Sequence, residues 1–182
     1  MPQIIEATPD ILRARQGWQY TGVERPSFAE PCEPPDESVW DFPRPPRIEP
    51  LALEVVVSVD GAELARSARA VRVLETAGAP TVYVPPDEVS PAVTFGEVSS
   101  VCEWKGLAQP ALLADGTEVG WRYAAVFEEF AELYLWVSFY PSRAACELGG
   151  ERVKPQPGGY YGGWVTSNLK GPIKGQPGSA GW

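Results

Sequence analysis

The sequence predicts a mainly β fold: an antiparallel folded sheet or barrel with one or two short helices. Twenty prolines and eighteen glycines among 182 residues disfavour long helices. After residue 51, short segments rich in β-branched residues follow one another at close spacing. No part of the chain alternates strands with helices in the rhythm of a parallel sheet. Because 182 residues is the length of an ordinary domain, we expect a single domain over residues 1–182.

Residues 1–50 are predicted to form a short helix followed by a proline-rich strap. In TPDILRARQG, Thr8 can cap the helix, Pro9 suits its first position and Gly17 ends it. Residues 1–50 hold ten of the twenty prolines, and those that follow the helix exclude a long helix or a central strand there. Four aromatic residues are expected to hold the strap on the core: Trp18, Phe28, Trp40 and Phe42. In the alternative interpretation, PRPP at positions 43–46 binds an aromatic groove on a partner.

Residues 51–154 are predicted to form the β core. The strands LEVVVSV and AELARSA are joined by a turn at Asp60-Gly61, and PALLA and TEVGWRYA by a turn at Asp115-Gly116. AVRVLE and TVYV form a further pair, PPDEV forms one helical turn, and AVTFGEVSSVCEWKG is extended. AVFEEFAEL has the pattern of a short amphipathic helix and precedes the apolar strand YLWVSFY.

Residues 155–182 are rich in glycine and proline, but their aromatic residues indicate an ordered strap instead of a solvated linker. This segment holds Lys170 and Lys174 and no acidic residue, whereas the whole chain has a net charge of −9. A basic tail of this kind can dock on the acidic body. The same negative charge disfavours binding to nucleic acid or to an anionic membrane. The N-terminus lacks the pattern of a secretory signal and no run of 18 apolar residues occurs, so we expect a cytoplasmic protein, monomeric or homodimeric.

The residue types restrict the chemistry that the protein can perform. There is no histidine, which removes Ser-His-Asp triads, Cys-His dyads and histidine metal ligands. Cys32, Cys102 and Cys146 are too far apart in sequence for a zinc knuckle. No glycine-rich phosphate motif and no D-x-D carboxylate pair is present. We therefore expect no metal ion and no cofactor.

The segment CEWKG, residues 102–106, combines a thiol, a carboxylate, an indole and an amine. In a regular strand, Cys102 and Trp104 would face one side while Glu103 and Lys105 face the other. Gly106 allows a bulge or sharp exit that would bring Lys105 toward Cys102 and make the thiol nucleophilic. In the alternative, Cys102 is a small buried apolar residue and Lys105 is a strand end paired with Glu103.

Several segments together resemble the domain-of-unknown-function 427 family: SARAVRVLETAGAPTVYVPPDEV, CEWKG, VSFYP and GERVKPQPGGYYGGWVTSNLKGPIKGQPG. WQYTG, ESVWDFPRPPRIEP and the glycine-rich tail are similar to its longer bacterial subgroup. The resemblance implies a folded sheet of the Mss4-like or β-tent topology and no established activity. Some classifications label the family nucleotidyltransferase-like, a label that the missing carboxylate pair does not support. Its pattern covers ten positions here: Glu75, Tyr83, Pro85, Asp87, Cys102, Lys105, Gly106, Tyr123, Phe139 and Tyr140.

The chain departs from the family pattern in two segments. Gly106 is followed by Leu107-Ala108 without the usual aromatic residue, and WRYAAVFEEF lacks the usual proline-containing turn. Zinc-binding β-tent relatives use paired cysteines, which this chain does not have.

Three functions follow from these observations. The first is a small-molecule-binding β domain, because aromatic residues supply stacking surfaces around a few polar groups. Its pocket is predicted near CEWKG and lined by Glu75, Tyr83, Cys102, Trp104, Lys105, Tyr123 and Trp164. The second is an enzyme in which Cys102 is the nucleophile and Lys105 its activator. The third is a structural or partner-binding module that uses the proline-rich strap.

Overall fold

The computed structural model describes residues 1–182 and confirms the predicted mainly β fold. The sheets are mostly antiparallel and do not close into a barrel, so the folded-sheet form of the prediction is correct. The helices are α1 (Pro9–Arg15) and the 3-10 helices η1 (Val39–Asp41), η2 (Pro86–Glu88) and η3 (Glu128–Leu133). The strands of the first half are β1 (Glu37–Ser38), β2 (Arg47–Pro50), β3 (Val55–Val59), β4 (Ala62–Ser67), β5 (Val71–Leu74), β6 (Thr81–Tyr83), β7 (Thr94–Phe95) and β8 (Ser100–Cys102). Those of the second half are β9 (Gly106–Leu112), β10 (Glu118–Val126), β11 (Val137–Phe139), β12 (Ala145–Leu148), β13 (Glu151–Arg152), β14 (Lys154–Pro155), β15 (Trp164–Val165) and β16 (Leu169–Lys170).

The largest sheet is built on the β9–β10 hairpin, with β11 on the free edge of β10. The predicted Asp115-Gly116 turn closes this hairpin: Asp115 Oδ1 accepts a hydrogen bond from the Thr117 amide at 2.9 Å, and Gly116 has a φ of +84°. Strands β7 and β8 share the other edge of β9, where Cys102 pairs with Gly106. The sheet therefore carries the CEWKG segment at the end farthest from the Asp115-Gly116 turn.

Two smaller antiparallel sheets complete the β core, in the orders β13-β12-β3-β4 and β2-β5-β6. The β3–β4 hairpin turns at Asp60-Gly61, with φ values of 49° and 80° that match a two-residue hairpin turn. A backbone bridge between Val84, just after β6, and Val137 of β11 joins the β2-β5-β6 sheet to the largest one. Val57, Val119 and Phe139, each fully buried, belong to the largest apolar cluster of the core.

The two terminal straps pack on the core and on each other. Glu37 of β1 pairs in parallel with Leu169 of β16, and β2 adds an edge to β5. The fully buried Trp40 lies 5.2 to 5.3 Å, ring to ring, from its aromatic neighbours Tyr20, Phe28 and Trp182. The basic tail does dock on the acidic body, because Lys170 Nζ lies 3.1 Å from Asp36 Oδ2.

The PRPP segment also packs on the protein itself. Arg44 and Pro46 are buried, Pro43 is half-buried and only Pro45 is exposed. This packing favours the strap interpretation over a ligand for a partner's groove.

The helix predicted for AVFEEFAEL is wrong in its first part. Strand β10 continues to Val126, and only Glu128–Leu133 forms a 3-10 helix, with Phe130 and Leu133 buried. Val126 stays extended because it pairs with Gly106 and exchanges backbone hydrogen bonds of 2.9 Å with Gln3 and Ile5. None of the helices has the length and apolarity needed to span a lipid bilayer.

Candidate functional site

The CEWKG segment is a hairpin turn. Strand β8 ends at Cys102, β9 begins at Gly106, and residues 103–105 form the turn between them. The turn closes because Gly106 adopts a φ of +137° and its Cα faces the carbonyl of Ala125 with no room for a side chain. The strand alternation that would separate Cys102 from Lys105 therefore does not apply. Instead, Gly106 provides the sharp exit from the strand that the sequence also allowed.

A cavity of about 350 Å³ lies beside this turn. Of the seven candidate ligand-binding residues, five line it: Glu75, Tyr83, Cys102, Lys105 and Tyr123. The other residues around it include Trp18, Arg44, Thr76, Glu103, Gln109, Glu118, Trp121, Tyr140, Gln156, Tyr160, Tyr161 and Lys174. Its volume is in the range of sites for small organic ligands.

The other two candidates, Trp104 and Trp164, do not line this cavity. Trp104 points into the apolar cluster that also holds Tyr123 and Phe130. The Trp164 indole donates a hydrogen bond of 3.0 Å to the Phe139 carbonyl and borders a separate cavity of about 280 Å³. Both indoles thus serve the core, where their large apolar surface is buried.

Two buried cations and the half-buried Glu75 carboxylate form a charged cluster at the cavity wall. The Lys105 ammonium lies 3.5 Å from Glu75 Oε2, and the Arg44 guanidinium lies 3.3 Å from Glu75 Oε1. Arg44 also donates to the carbonyls of Tyr20 and Thr76, at 2.7 and 3.0 Å. Arg44 thereby holds both Glu75 and the N-terminal strap in place. The pairing of Lys105 with Glu103 suggested by the sequence is replaced by pairing with Glu75.

Lys105 remains a cation in this setting. Its side chain is 9% exposed, and burial alone would lower its pKa. Attraction to Cys102 and Glu75 outweighs burial and raises the pKa of Lys105 above its ordinary value. A lysine ammonium carries three hydrogen-bond donors, and the only acceptor that Lys105 reaches in the protein is Glu75.

Tyr83 places a hydroxyl without a partner at the cavity. The residue is fully buried and its hydroxyl has no hydrogen-bond partner in the protein. Burial raises the pKa of Tyr83 to about 12, and it likewise holds the pKa of Tyr123 well above its ordinary value. The rings of Tyr83 and Tyr123 are 6.2 Å apart. Both phenols are therefore neutral at physiological pH.

The terminal straps supply the part of the site that the sequence did not indicate. Trp18 lies between two cations: its ring is 4.3 Å from the Arg44 guanidinium and 3.6 Å from Lys174 Nζ. Burial and the charge of Arg44 lower the pKa of Lys174 to about 8. Gln156 fixes the C-terminal strap, accepting from the Ala79 amide at 3.0 Å and donating to the Lys174 carbonyl at 2.9 Å.

The tyrosine-glycine loop of the C-terminal strap forms another wall. Tyr160, Tyr161 and Gly162 all border the cavity, and Tyr160 is 79% exposed. The Gly162 backbone lies directly against the Trp121 ring, where a methyl group would overlap the indole. Trp121 in turn packs against Tyr140, with ring centroids 4.6 Å apart. The loop and these two aromatic side chains give the cavity an aromatic surface.

No group of three histidine, cysteine, aspartate or glutamate side chains lies close enough to hold a metal ion. The three cysteines are free thiols; Cys32 and Cys102 are half-buried and Cys146 is buried.

The fold and site define a mainly β, folded-sheet protein with a polar cavity between its core and its terminal straps. The sequence model described as "Domain of unknown function (DUF427)" matches residues 47–150, more than half of the chain. The chain belongs to this family.

Two curated proteins share a shorter segment with the chain. It is 31% identical over 81 residues to the hercynine oxygenase of Mycolicibacterium thermoresistibile, covering 43% of this chain and 17% of that protein. It is 33% identical over 81 residues to the hercynine oxygenase of Mycolicibacterium smegmatis, covering 43% of this chain and 18% of that protein. The chain thus spans less than a fifth of the length of these relatives.

Proposed function

We propose that the protein binds a small organic molecule in the cavity beside the CEWKG turn. The observation that carries the proposal is that Lys105, a buried ammonium, and Tyr83, whose buried hydroxyl has no hydrogen-bond partner, both line a cavity of about 350 Å³. A buried polar group without a partner costs about 1 to 3 kcal/mol. A ligand that accepts hydrogen bonds from these groups would recover part of that cost.

The relatives agree with a small-molecule site in general terms, since both are named as oxygenases of hercynine. The shared segment is less than a fifth of those proteins, so oxygenase activity forms no part of the proposal. The separate cavity bordered by Trp164 is a weaker candidate, because its one arginine, Arg72, is already paired with Glu37 and Glu49 at 2.8 and 3.0 Å.

The test uses Cys102 as a reporter of occupancy. Iodoacetamide alkylation of Cys102 is followed by peptide mass spectrometry while neutral, cationic and anionic ring compounds are added at millimolar concentration. Cys32 does not border the cavity and serves as the internal control. We expect at least one compound to slow alkylation of Cys102 about fivefold without changing Cys32. If no compound protects Cys102 selectively, the binding function is rejected.

A second function is favoured by the hairpin turn, which brings Cys102 and Lys105 to the same cavity. In this proposal Cys102 is a nucleophile and the Lys105 ammonium stabilises its thiolate. We expect Lys105→Met to slow alkylation of Cys102 more than tenfold at pH 7 and to leave Cys32 unchanged. Equal alkylation rates in the wild type and Lys105→Met would exclude Cys102 as an activated nucleophile.

A further inference from the structure

Around the cavity, the carboxylates have protein partners but some hydrogen-bond donors do not. This difference indicates which chemical groups a ligand should carry. Each carboxylate at the cavity has a protein partner. Both oxygens of Glu75 are paired, with Arg44 and with Lys105. Glu103 accepts from the Trp18 indole at 3.2 Å and from the Cys102 thiol at 3.9 Å, and Glu118 pairs with Arg143 at 3.3 Å.

The donors are not all occupied. Lys105 uses one of its three donors, on Glu75 at 3.5 Å. The Tyr83 hydroxyl uses none. Because buried donors are normally paired with acceptors, a molecule in the cavity can supply acceptors for these two groups.

We propose that the cavity binds a carboxylic acid that carries an aromatic ring, with its carboxylate accepting hydrogen bonds from Lys105 Nζ and Tyr83 Oη. This inference rests on the proposed binding function and specifies its ligand. A carboxylate supplies two acceptor oxygens and one negative charge, which matches one ammonium and one hydroxyl. A phosphate dianion brings twice that charge, which a site of one ammonium and one hydroxyl does not neutralise.

The ring requirement comes from the aromatic side chains around the cavity. Trp121, Tyr140 and Tyr161 border the cavity, and flat aromatic surfaces of this kind stack on a ligand ring. Burial raises the pKa of Tyr83 to about 12, so the phenol is protonated and can donate to the carboxylate throughout the physiological range.

The experiment uses benzoate as the probe, with benzamide as the neutral and benzylamine as the cationic comparison. Binding to the 182-residue chain is measured by saturation-transfer NMR and by protection of Cys102 from iodoacetamide. We expect benzoate to bind and to protect Cys102, and benzamide and benzylamine to do so at least fivefold more weakly. An excess of inorganic phosphate should not displace benzoate.

Three variants assign the contacts. Lys105→Met should weaken benzoate binding more than tenfold and Tyr83→Phe about fivefold. Tyr134→Phe is the matched control, because the half-buried Tyr134 does not line the cavity, and it should bind benzoate as the wild type does. Tyr83→Phe should unfold at the same or a higher urea concentration, since the lost hydroxyl has no partner in the free protein. This result separates a lost contact from a damaged fold.

The outcomes distinguish this inference from the binding function beneath it. If benzamide or benzylamine protects Cys102 as well as benzoate does, or if phosphate displaces benzoate, the carboxylate assignment is wrong while the binding function stands. Unchanged benzoate affinity in both Lys105→Met and Tyr83→Phe would also overturn it. If no compound protects Cys102, both the inference and the binding function fail.

Discussion

The Arg44 guanidinium lies 3.3 Å from the Glu75 carboxylate, and the Arg44 side chain is only 2% exposed. This contact joins the N-terminal strap to the strand-end residue that also holds Lys105. Because Arg44 additionally donates to the carbonyls of Tyr20 and Thr76, its removal leaves several buried acceptors without partners.

We expect Arg44→Met to lower the free energy of unfolding by about 3 to 5 kcal/mol, the usual result of removing one partner of a buried ion pair. Urea unfolding at pH 7 measures this. The matched control is Arg25→Met, which removes a similar pair with Asp41 whose side chains are 39% and 50% exposed. The control should unfold close to the wild-type midpoint. Equal midpoints for both variants would contradict the role of Arg44.

Gly106 carries the turn that forms the site. A methyl group there would overlap the Ala125 carbonyl, and the φ of +137° is unfavourable for alanine. We expect Gly106→Ala to cost about 3 kcal/mol or more, since strain and overlap add. Gly116→Ala is the control, because Gly116 also has a positive φ, +84°, but open space around it. It should cost about 1 to 2 kcal/mol. Similar losses in the two variants would show that the close approach at Gly106 is unimportant.

Lys174 makes stability depend on pH. Its pKa is about 8 in the folded protein against an ordinary 10.5, so between these values the unfolded chain binds more protons. The free energy of unfolding should therefore gain about 2 kcal/mol from Lys174 as the pH rises from 8 to 10. Lys174→Arg cannot lose its proton in this range and should lack the gain. The measurement is urea unfolding at several pH values, and parallel curves for the two proteins would refute it.

Gly162 keeps Trp121 in place. We expect Gly162→Ala to displace the Trp121 ring, shift the tryptophan emission spectrum and weaken benzoate binding several-fold. Gly181→Ala, where nothing lies within 4 Å of the added methyl group, should match the wild type. Adding Trp121→Phe to Gly162→Ala should restore part of the affinity, because a smaller ring leaves space. Wild-type affinity and emission in Gly162→Ala would contradict this account.

Local sequence patterns predicted the elements that depend on local chemistry. Thr8 caps α1 through a hydrogen bond of 3.3 Å from the Ile11 amide, as its position before Pro9 indicates. The turn at Asp60-Gly61 follows from two residues that tolerate positive φ. Five of the seven candidate residues line one cavity. Three lie at the CEWKG turn or on the neighbouring strand β10, and the other two lie at β5 and β6 of the adjoining sheet.

The features that the sequence did not predict depend on contacts between residues far apart in the chain. Whether CEWKG continues a strand or turns depends on how closely Gly106 approaches Ala125, which is 19 positions away and has no signal in the segment itself. A tryptophan can be buried in a core or line a pocket, so the residue type alone could not show that Trp104 and Trp164 lie outside the predicted cavity. Arg44 and Lys174 reach the site from the N-terminal and C-terminal straps. The PRPP motif and the glycine-rich composition of the tail do not indicate that either residue contacts the cavity.

Both terminal straps contribute residues to the cavity. Ligand binding and the docking of the two straps on the core are therefore coupled equilibria. A fragment cut to the family segment, residues 47–150, would lack Trp18, Arg44, Tyr161 and Lys174, leaving an open trough. In the full chain, a bound molecule stabilises only conformations in which both ends are docked. Protease cleavage near either terminus should therefore slow as the cavity fills, so a trypsin time course can detect a ligand before its identity is known.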